Sequence, residues 1–247
     1  MAIMLFLKQA LTCTHPSWHD TLLNAFGAMD QHYLNALSRD STWLPGIDKL
    51  LNAFSLPFNE TRWVLYGESP YPRALSANGY AFWDAAVGAI WSSTGLSTAV
   101  NRATSLRNFI KMLLVAEGTL TIDHTKPTAI AALDKRPYCR TLKQLFKHLI
   151  QHGFLLLNAS LVLSTRPKVL EARLWLPFQN GVLTALSTLP QPPELLLFGK
   201  IADTLQHLAI IRQFPCLIAE HPYNLSFISN PDVLAFFKAL NLLQCAT

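Results

Sequence analysis

The sequence predicts an α/β fold of three layers, in which helices cover both faces of a central, mostly parallel four-stranded sheet. Four short, continuous apolar runs occur after residue 60, and amphipathic patterns with helical spacing separate them. Continuous apolar runs are typical of strands buried on both faces, and helical connections favour parallel pairing. The runs end at Gly67, Asn158, Gly199 and Glu220. Because ligands of such sheets bind beyond the carboxyl ends of the strands, three of these strand ends are candidates for one site: the turn at 67–72, Asn158, and His221-Pro222 after the last run.

Residues 1–60 are expected to form a helical lead to the sheet. Ser17 is placed to cap one helix and Asp30 a second, since short polar side chains accept backbone hydrogen bonds at helix starts. Apolar residues follow both caps at helical spacing, and a third, short helix is expected over 47–54. Pro57 ends this helix because proline lacks a backbone donor.

Residues 61–247 are expected to form the α/β core, and residues 1–247 a single domain, because no linker or internal repeat interrupts the pattern. The predicted strands are 61–66, 154–157, 195–198 and 216–219. The predicted helices are 106–115, 141–150, 175–186, 202–208 and 232–243, whereas 117–137 and 164–172 are expected to be loops. The pattern over 88–100 favours neither a helix nor a strand.

The composition indicates a folded protein with a sizeable core. Apolar residues make up 51% of the chain and charged residues 14%, whereas disordered chains are poorer in aliphatic residues. The formal net charge of +5 is compatible with a polyanionic partner but is weak support for one. The basic side chains at 136, 140, 143 and 147 share one helical face, for which a solvated surface is the simpler explanation.

Several classes of protein are not supported by the sequence. The four cysteines contain no C-x-x-C pair, so neither a metal site nor a disulfide framework is favoured, and free thiols are expected. No G-x-G-x-x-G or Walker pattern occurs, so no cofactor is expected. We expect no signal peptide and no membrane span, and therefore a cytoplasmic protein.

Four motifs, in chain order, resemble those of the uracil-DNA glycosylase family. That family carries G-Q-D-P-Y-H and then G-L-A-F after its first strand, L-L-L-N at a middle strand, and H-P-S-P-L-S after its last strand. The corresponding segments here read GESPYP at 67–72, GYAF at 79–82, LLLN at 155–158 and HPYNLS at 221–226. With weaker similarities elsewhere, the resemblance covers about residues 17–240.

The resemblance implies an enzyme of base-excision DNA repair that flips uracil out of DNA and hydrolyses its N-glycosidic bond. It implies that Phe82 stacks on the flipped base and that Asn158 reads the uracil edge, since an amide both donates and accepts hydrogen bonds. Tyr71 is expected to crowd the C5 position, where thymine carries its methyl group. His221 is expected to hydrogen-bond uracil O2 as negative charge develops on the leaving base.

The resemblance also implies a set of DNA contacts. Leu225 corresponds to the apolar wedge that fills the space left by the flipped nucleotide. The expected contacts to DNA phosphates are Gly199, Lys200, Pro222 and Ser226. We therefore expect the partner to be DNA that contains uracil, in single- or double-stranded form. We also expect the protein to be a monomer.

Each of these residues has a simpler explanation when it is taken alone. Phe82 and Leu225 would be core residues, Asn158 would bond a loop backbone, and His221 would belong to an ordinary turn. The order of the four motifs favours the functional explanation for Phe82, Asn158, Tyr71 and His221, and supports Leu225 less.

The motif at 67–72 departs from the family at three positions. Ser69 stands where the family has its catalytic aspartate, and a serine hydroxyl can hold a water but brings no negative charge. Glu68 replaces a glutamine of the substrate-binding turn, and Pro72 replaces a histidine. Two hypotheses stay open: a glycosylase with weakened or altered activity, or an inactive relative that binds uracil or DNA or serves as an interaction module.

Overall fold

A computed structural model describes residues 2–205 and 208–244. Its strands are β1 (Trp63–Gly67), β2 (Trp91–Ser92), β3 (Gly95–Leu96), β4 (Phe154–Asn158), β5 (Glu194–Phe198) and β6 (Cys216–Ala219). The predicted runs form one four-stranded sheet in the order β4-β1-β5-β6, and β2 pairs with β3 in a separate antiparallel sheet. The segment 88–100 thus contains a small hairpin.

The pairing of β1 explains why the apolar runs are continuous. β1 lies parallel to β4 on one side and parallel to β5 on the other. All of β4 is buried, as are four of the five residues in both β1 and β5. The predicted mostly parallel four-stranded sheet flanked by helices is confirmed.

The helices are α1 (Ala2–Ala10), α2 (His19–Gly27), α3 (Gln31–Arg39), α4 (Thr98–Arg102), α5 (Thr104–Ala116), α6 (Pro127–Ala131), α7 (Leu142–Gln151), α8 (Lys168–Leu186), α9 (Ile201–Leu205) and α10 (Pro231–Phe237). A 3-10 helix follows β6 at Leu225–Ser229. None of the helices in the described residues is both long enough and apolar enough to cross a membrane.

Helix starts were predicted with mixed success. Asp30 caps α3 as expected, accepting from the backbone amides of His32 and Tyr33. Ser17 does not cap α2, because its hydroxyl accepts from the Phe58 amide at 2.9 Å instead. Ser17 therefore ties the start of α2 to the segment that precedes β1.

Two predicted loops are partly helical. α8 begins at Lys168, inside the segment 164–172, and α6 lies within 117–137. A proline stands at the start of each, where a missing backbone donor is tolerated. α10 is shorter than predicted, since it ends at Phe237. α9 is described as far as Leu205, and residues 206–207 of the helix predicted over 202–208 lie outside the described residues.

The chain folds into two compact units. The first comprises residues up to 84 and 153–216. In its core α2 packs on α8, and Gly181 permits the close approach, since a Cβ there would lie 3.0 Å from the Cα of Ala25. The buried Glu171 carboxylate accepts hydrogen bonds from Tyr33 and Ser164, which holds the start of α8 in place.

The second unit comprises residues 85–152 and those from 217 onward. Its core contains α5 with the 3-10 helix and α10, and the ring of Phe109 lies 5.5 Å from that of Phe237. Thr141 and Gln144 cap α7 reciprocally, which confirms the predicted start of that helix. The expectation of a single domain stays a prediction.

Candidate functional site

Two neighbouring strands of the first unit end side by side at Gly67 and Asn158, which are register partners. A Cβ on Gly67 would overlap Oδ1 of Asn158 and would lie 2.9 Å from the Cβ of Ala81. The absence of a side chain at Gly67 therefore lets the Asn158 amide lie against the end of β1.

Asn158 is fixed through its backbone, whereas its side chain is not committed. Its carbonyl accepts from Gln179 Nε2 at 2.9 Å, and Gln179 Oε1 accepts from the Tyr66 hydroxyl at 3.1 Å. Asn158 as a whole residue is 3% exposed, and its side-chain amide makes no hydrogen bond within the described residues. A buried amide without a partner is costly unless a ligand supplies one, so this group is well suited to read polar atoms of a bound molecule.

Sequence reasoning missed Gln179. The available signal was a glutamine among the apolar residues of a helix that was predicted to face the sheet. The Gln179 amide also donates to the Ala159 carbonyl at 2.9 Å. One side chain therefore bonds the last residue of β4, Asn158, and the residue after it.

Tyr71 and Phe82 are held together in the loop after β1. The Tyr71 hydroxyl donates to the Phe82 carbonyl at 3.1 Å, and burial raises the pKa of Tyr71 above its usual value, so the hydroxyl stays protonated. Phe82 has a φ of +61°, which is unfavourable for a bulky side chain. The Ala81 amide donates to the Leu156 carbonyl at 3.0 Å and holds this segment against β4. The strained aromatic residue Phe82 therefore directly follows Ala81, which lies beside Gly67 as Asn158 does.

A salt bridge closes the same loop. Arg73 Nη2 lies 3.3 Å from Oδ2 of Asp84, whose side chain is buried. The pair spans residues 73–84, which include Phe82, so it joins the two ends of the segment that carries that ring.

Glu68 and Ser69 open into a cavity of about 680 Å³ in the first unit. Lys168 and Arg173 of α8 and Lys200 after β5 also line it. None of these three cationic side chains forms a hydrogen bond or ion pair within the described part of the chain. Glu68 and Asp203 also line the cavity, so its described wall carries three cationic and two acidic side chains, a small excess of positive charge beside Ser69.

The structure brings one predicted phosphate contact to this cavity. Gly199 has a φ of +76°, which turns the chain sharply at the end of β5, and Lys200 follows at the cavity wall. The contribution of α8 to the wall of this cavity was not predicted, because 164–172 was expected to be a loop.

In the second unit, Asn108 fixes the loop that carries the remaining candidate residues. Asn108 is buried on α5, and its Nδ2 donates to the carbonyls of Pro222 at 2.8 Å, Tyr223 at 3.3 Å and Asn224 at 3.4 Å. His221 and Leu225 flank these carbonyls. Asn108 therefore determines the course of the backbone from which both side chains project.

The hydrogen bond at His221 determines its tautomer. The Tyr223 amide donates to Nδ1 of His221 at 3.1 Å, so Nδ1 carries no proton. In the neutral ring the proton then lies on Nε2, and His221 can donate a hydrogen bond from that atom.

Ser226 has a partner that the sequence did not reveal. It hydrogen-bonds the Glu220 carboxylate, to which Asn230 Nδ2 also donates at 2.8 Å. Burial opposes ionisation of Glu220, but these hydrogen bonds outweigh it and lower its pKa. Leu225, by contrast, is exposed, as a side chain that enters another molecule must be.

No family model matches the chain. The wild-type UNG crystal structure from Nitratifractor salsuginis superposes with a TM-score of 0.92 at 39% identity, covering 98% of this chain and 97% of that one. The chain belongs to the uracil-DNA glycosylase family. Among curated relatives, the uracil-DNA glycosylase of Thermobifida fusca is 27% identical over 187 residues, which are 75% of this chain and 68% of the relative.

Two further comparisons concern relatives of lower identity than the Nitratifractor salsuginis structure. The enzyme of Mycobacterium avium is 26% identical over 196 residues, which are 79% of this chain and 72% of the relative. The mimivirus uracil-DNA glycosylase structure is 16% identical, has a TM-score of 0.58 and covers 87% of this chain and 71% of that one. At that identity the likeness concerns the fold alone.

The close approach at Gly67 predicts a large effect of a single methyl group. Gly67→Ala is expected to lower the free energy of unfolding by about 1–3 kcal/mol, because the methyl group overlaps the Asn158 amide. Urea unfolding measures this change. Gly27→Ala is the matched control, since nothing lies within 4 Å of a Cβ there and we expect no loss of stability, or a gain of up to about 1 kcal/mol. Equal effects of the two substitutions would contradict the close contact.

Removal of the Asn108 side chain is expected to release the loop at 221–225. Asn108→Ala removes the side-chain donor from the carbonyls of Pro222 and Tyr223, whereas the Asn224 carbonyl keeps the Phe227 amide, and it should lower the free energy of unfolding by about 1–3 kcal/mol. Asn108→Asp should be at least as harmful, because a carboxylate of the same size would face those carbonyls. Thermal unfolding tests both variants, and wild-type stability in both would show that these hydrogen bonds do not hold the loop.

Proposed function

We propose that this protein hydrolyses the N-glycosidic bond of uracil in DNA, as an enzyme of base-excision repair. The observation that carries the proposal is the buried Asn158 amide without a partner within the described residues, at a strand end beside the loop that holds Tyr71 and Phe82. Membership in the uracil-DNA glycosylase family supports the choice of substrate.

Three side chains of the first unit would recognise the base. The Asn158 amide can donate to the O4 of uracil and accept from N3–H, whereas cytosine presents the opposite pattern at these two positions. The Phe82 ring would stack on the base, and Tyr71 would occupy the space that the methyl group of thymine needs. Tyr71 is neutral and tied to Phe82, so it can act as a rigid wall.

His221 would stabilise the leaving base. In its tautomer with Nδ1 as acceptor, Nε2–H can donate to uracil O2, where negative charge develops as the bond breaks. The Asn108 hydrogen bonds make this donor part of a fixed loop, so little reorganisation is needed during the reaction.

Ser69 would position the attacking water. Its hydroxyl can accept from and donate to a water molecule in the cavity, but it cannot oppose the positive charge that develops on the sugar. Glu68 lines the same cavity and would contribute to substrate binding there. We therefore expect slower catalysis than an aspartate at position 69 would give. The proposed reaction consumes only water and involves no cofactor or metal.

The DNA backbone would be held by both units separately. In the first unit, Lys200 with Lys168 and Arg173 supplies positive charge, and Gly199 allows close approach of the backbone.

In the second unit, the predicted contacts are Pro222, Leu225 and Ser226. Of these, Leu225 is the exposed apolar wedge, and Ser226 would use its backbone amide because its hydroxyl is engaged by Glu220. Action on single- or double-stranded DNA, as a monomer in the cytoplasm, is part of the proposal.

A second candidate is a relative that binds uracil-containing DNA without cleaving it. The observation that favours this candidate is Ser69 itself, together with Pro72, which removes a histidine that the family carries.

A cleavage assay separates the two candidates. A single-stranded oligonucleotide with one uracil is incubated with excess protein and then treated with alkali, which breaks the strand at an abasic site. The proposal predicts a break at the uracil position and none in a thymine-containing control. Without any abasic product at enzyme excess, the proposed activity is wrong, and tighter binding of the uracil strand than of the control would then support the second candidate.

A further inference from the structure

A small cavity of the second unit collects cations. It has a volume of about 200 Å³, which is roughly the space of seven liquid waters. No acidic residue is among the described residues that line it. The residues that matter here are Leu96, Asn101, Arg107, Lys111, Ile130 and Leu225.

Arg107 is oriented by neutral partners alone. Its Nη1 donates to the Asn101 carbonyl at 3.1 Å, and its Nε lies 3.5 Å from Oδ1 of Asn108. The guanidinium group has five N–H donors, and it forms no ion pair within residues 2–205 and 208–244. The group is thus fixed in position while its positive charge is unneutralised.

Lys111 lies one helical turn further along α5 and faces the same cavity. Burial lowers the pKa of Lys111, and the positive charge of Arg107 lowers it further. Like charges at this helical spacing repel each other, which is unfavourable unless an anion lies between them. No described acidic side chain forms an ion pair with Lys111.

Leu225 places this cavity next to the proposed wedge. Its side chain is 71% exposed and also lines the cavity. A strand of duplex DNA carries one phosphate per 3.4 Å of helix axis, so a side chain that enters the base stack has a phosphate close by. A phosphate group fits the cavity volume and the fork of Arg107, which can bond two phosphate oxygens at once.

We propose that Arg107 and Lys111 together bind one backbone phosphate of the DNA, next to the base step that Leu225 enters. This proposal rests on the proposed function, which makes DNA the ligand and Leu225 the wedge. The site differs from the positively charged cavity beside Ser69, because all of its residues belong to the second unit.

The salt dependence of DNA binding tests the site. The affinity for a uracil-free duplex is measured by fluorescence anisotropy at several salt concentrations, for the full chain and for the R107Q/K111Q double variant. Loss of one phosphate contact should reduce the slope of log affinity against log salt by about 0.9. The matched control is K143Q/K147Q, which removes two exposed charges of α7 that do not line the cavity and should leave the slope unchanged.

A second measurement does not depend on a variant. The side-chain ammonium of Lys111 is titrated by NMR in the wild-type protein, alone, with the duplex, and with inorganic phosphate. A bound phosphodiester should raise the pKa of Lys111, because it supplies the missing negative charge.

The outcomes distinguish this proposal from the proposed function. A reduced slope together with a raised Lys111 pKa on duplex binding supports the phosphate site, even if no uracil is excised. An unchanged slope together with an unchanged pKa overturns it. A response to inorganic phosphate but not to the duplex also overturns it, since the cavity would then be a free-phosphate site. If the double variant does not fold, the wild-type titration decides alone.

Discussion

Asn158→Ala is expected to lower the single-turnover rate of uracil release by roughly 10²- to 10⁴-fold. The base would lose both hydrogen bonds to the amide, and each buried polar group left without its partner costs about 1–3 kcal/mol. The backbone of Asn158 is held by Gln179 and the sheet, so the variant should keep its fold. The rate is measured with enzyme in excess over an oligonucleotide with one uracil.

The matched control for this substitution is Asn59→Ala. Asn59 is an exposed asparagine of the same unit and is expected to leave the rate unchanged. Circular dichroism and urea unfolding establish that both variants are folded. A folded Asn158→Ala protein with the wild-type rate would show that the base-reading site lies elsewhere.

Ser69→Asp is expected to raise the same single-turnover rate by about 10²- to 10³-fold. A carboxylate at this position would oppose the positive charge that develops on the sugar and would orient the attacking water, and such electrostatic groups typically contribute this much. The cavity at Ser69 has room for the larger side chain, and the nearby cations Lys168, Arg173 and Lys200 would favour its ionised form.

Ser69→Asn separates charge from size in this experiment. Asparagine has nearly the same shape as aspartate but no charge, so we expect no comparable gain. An aspartate variant no faster than the asparagine variant would mean that position 69 does not face the developing charge.

The sheet could be predicted because its strands are buried on both faces. Leu155, Leu156 and Leu157 form a run that no other element of this length explains, and β1 and β5 show the same pattern. The motif and the strand assignment placed Asn158 at a strand end, whereas its register opposite Gly67 is known only from the structure. Asp30 and Thr141 were predictable for a related reason, because capping depends only on residues within three positions.

The supports of the site could not be predicted, because they join residues far apart in the chain. Asn108 bonds carbonyls more than a hundred positions away, and Tyr66 bonds Gln179. Local patterns do not reveal such partners. The start of α8 was missed for a similar reason, since the buried Glu171 resembles a surface residue until Tyr33 and Ser164 are seen to bond it.

We propose that the pocket at Asn158, Tyr71 and Phe82 releases uracil from DNA even though Ser69 stands where the family has an aspartate. Mass spectrometry of the free base, after incubation of excess protein with oligonucleotides that contain uracil, thymine or cytosine at one position, tests it directly. We expect free uracil in amounts that match the abasic strand, and no free thymine or cytosine. No free uracil from a folded protein at enzyme excess would contradict it.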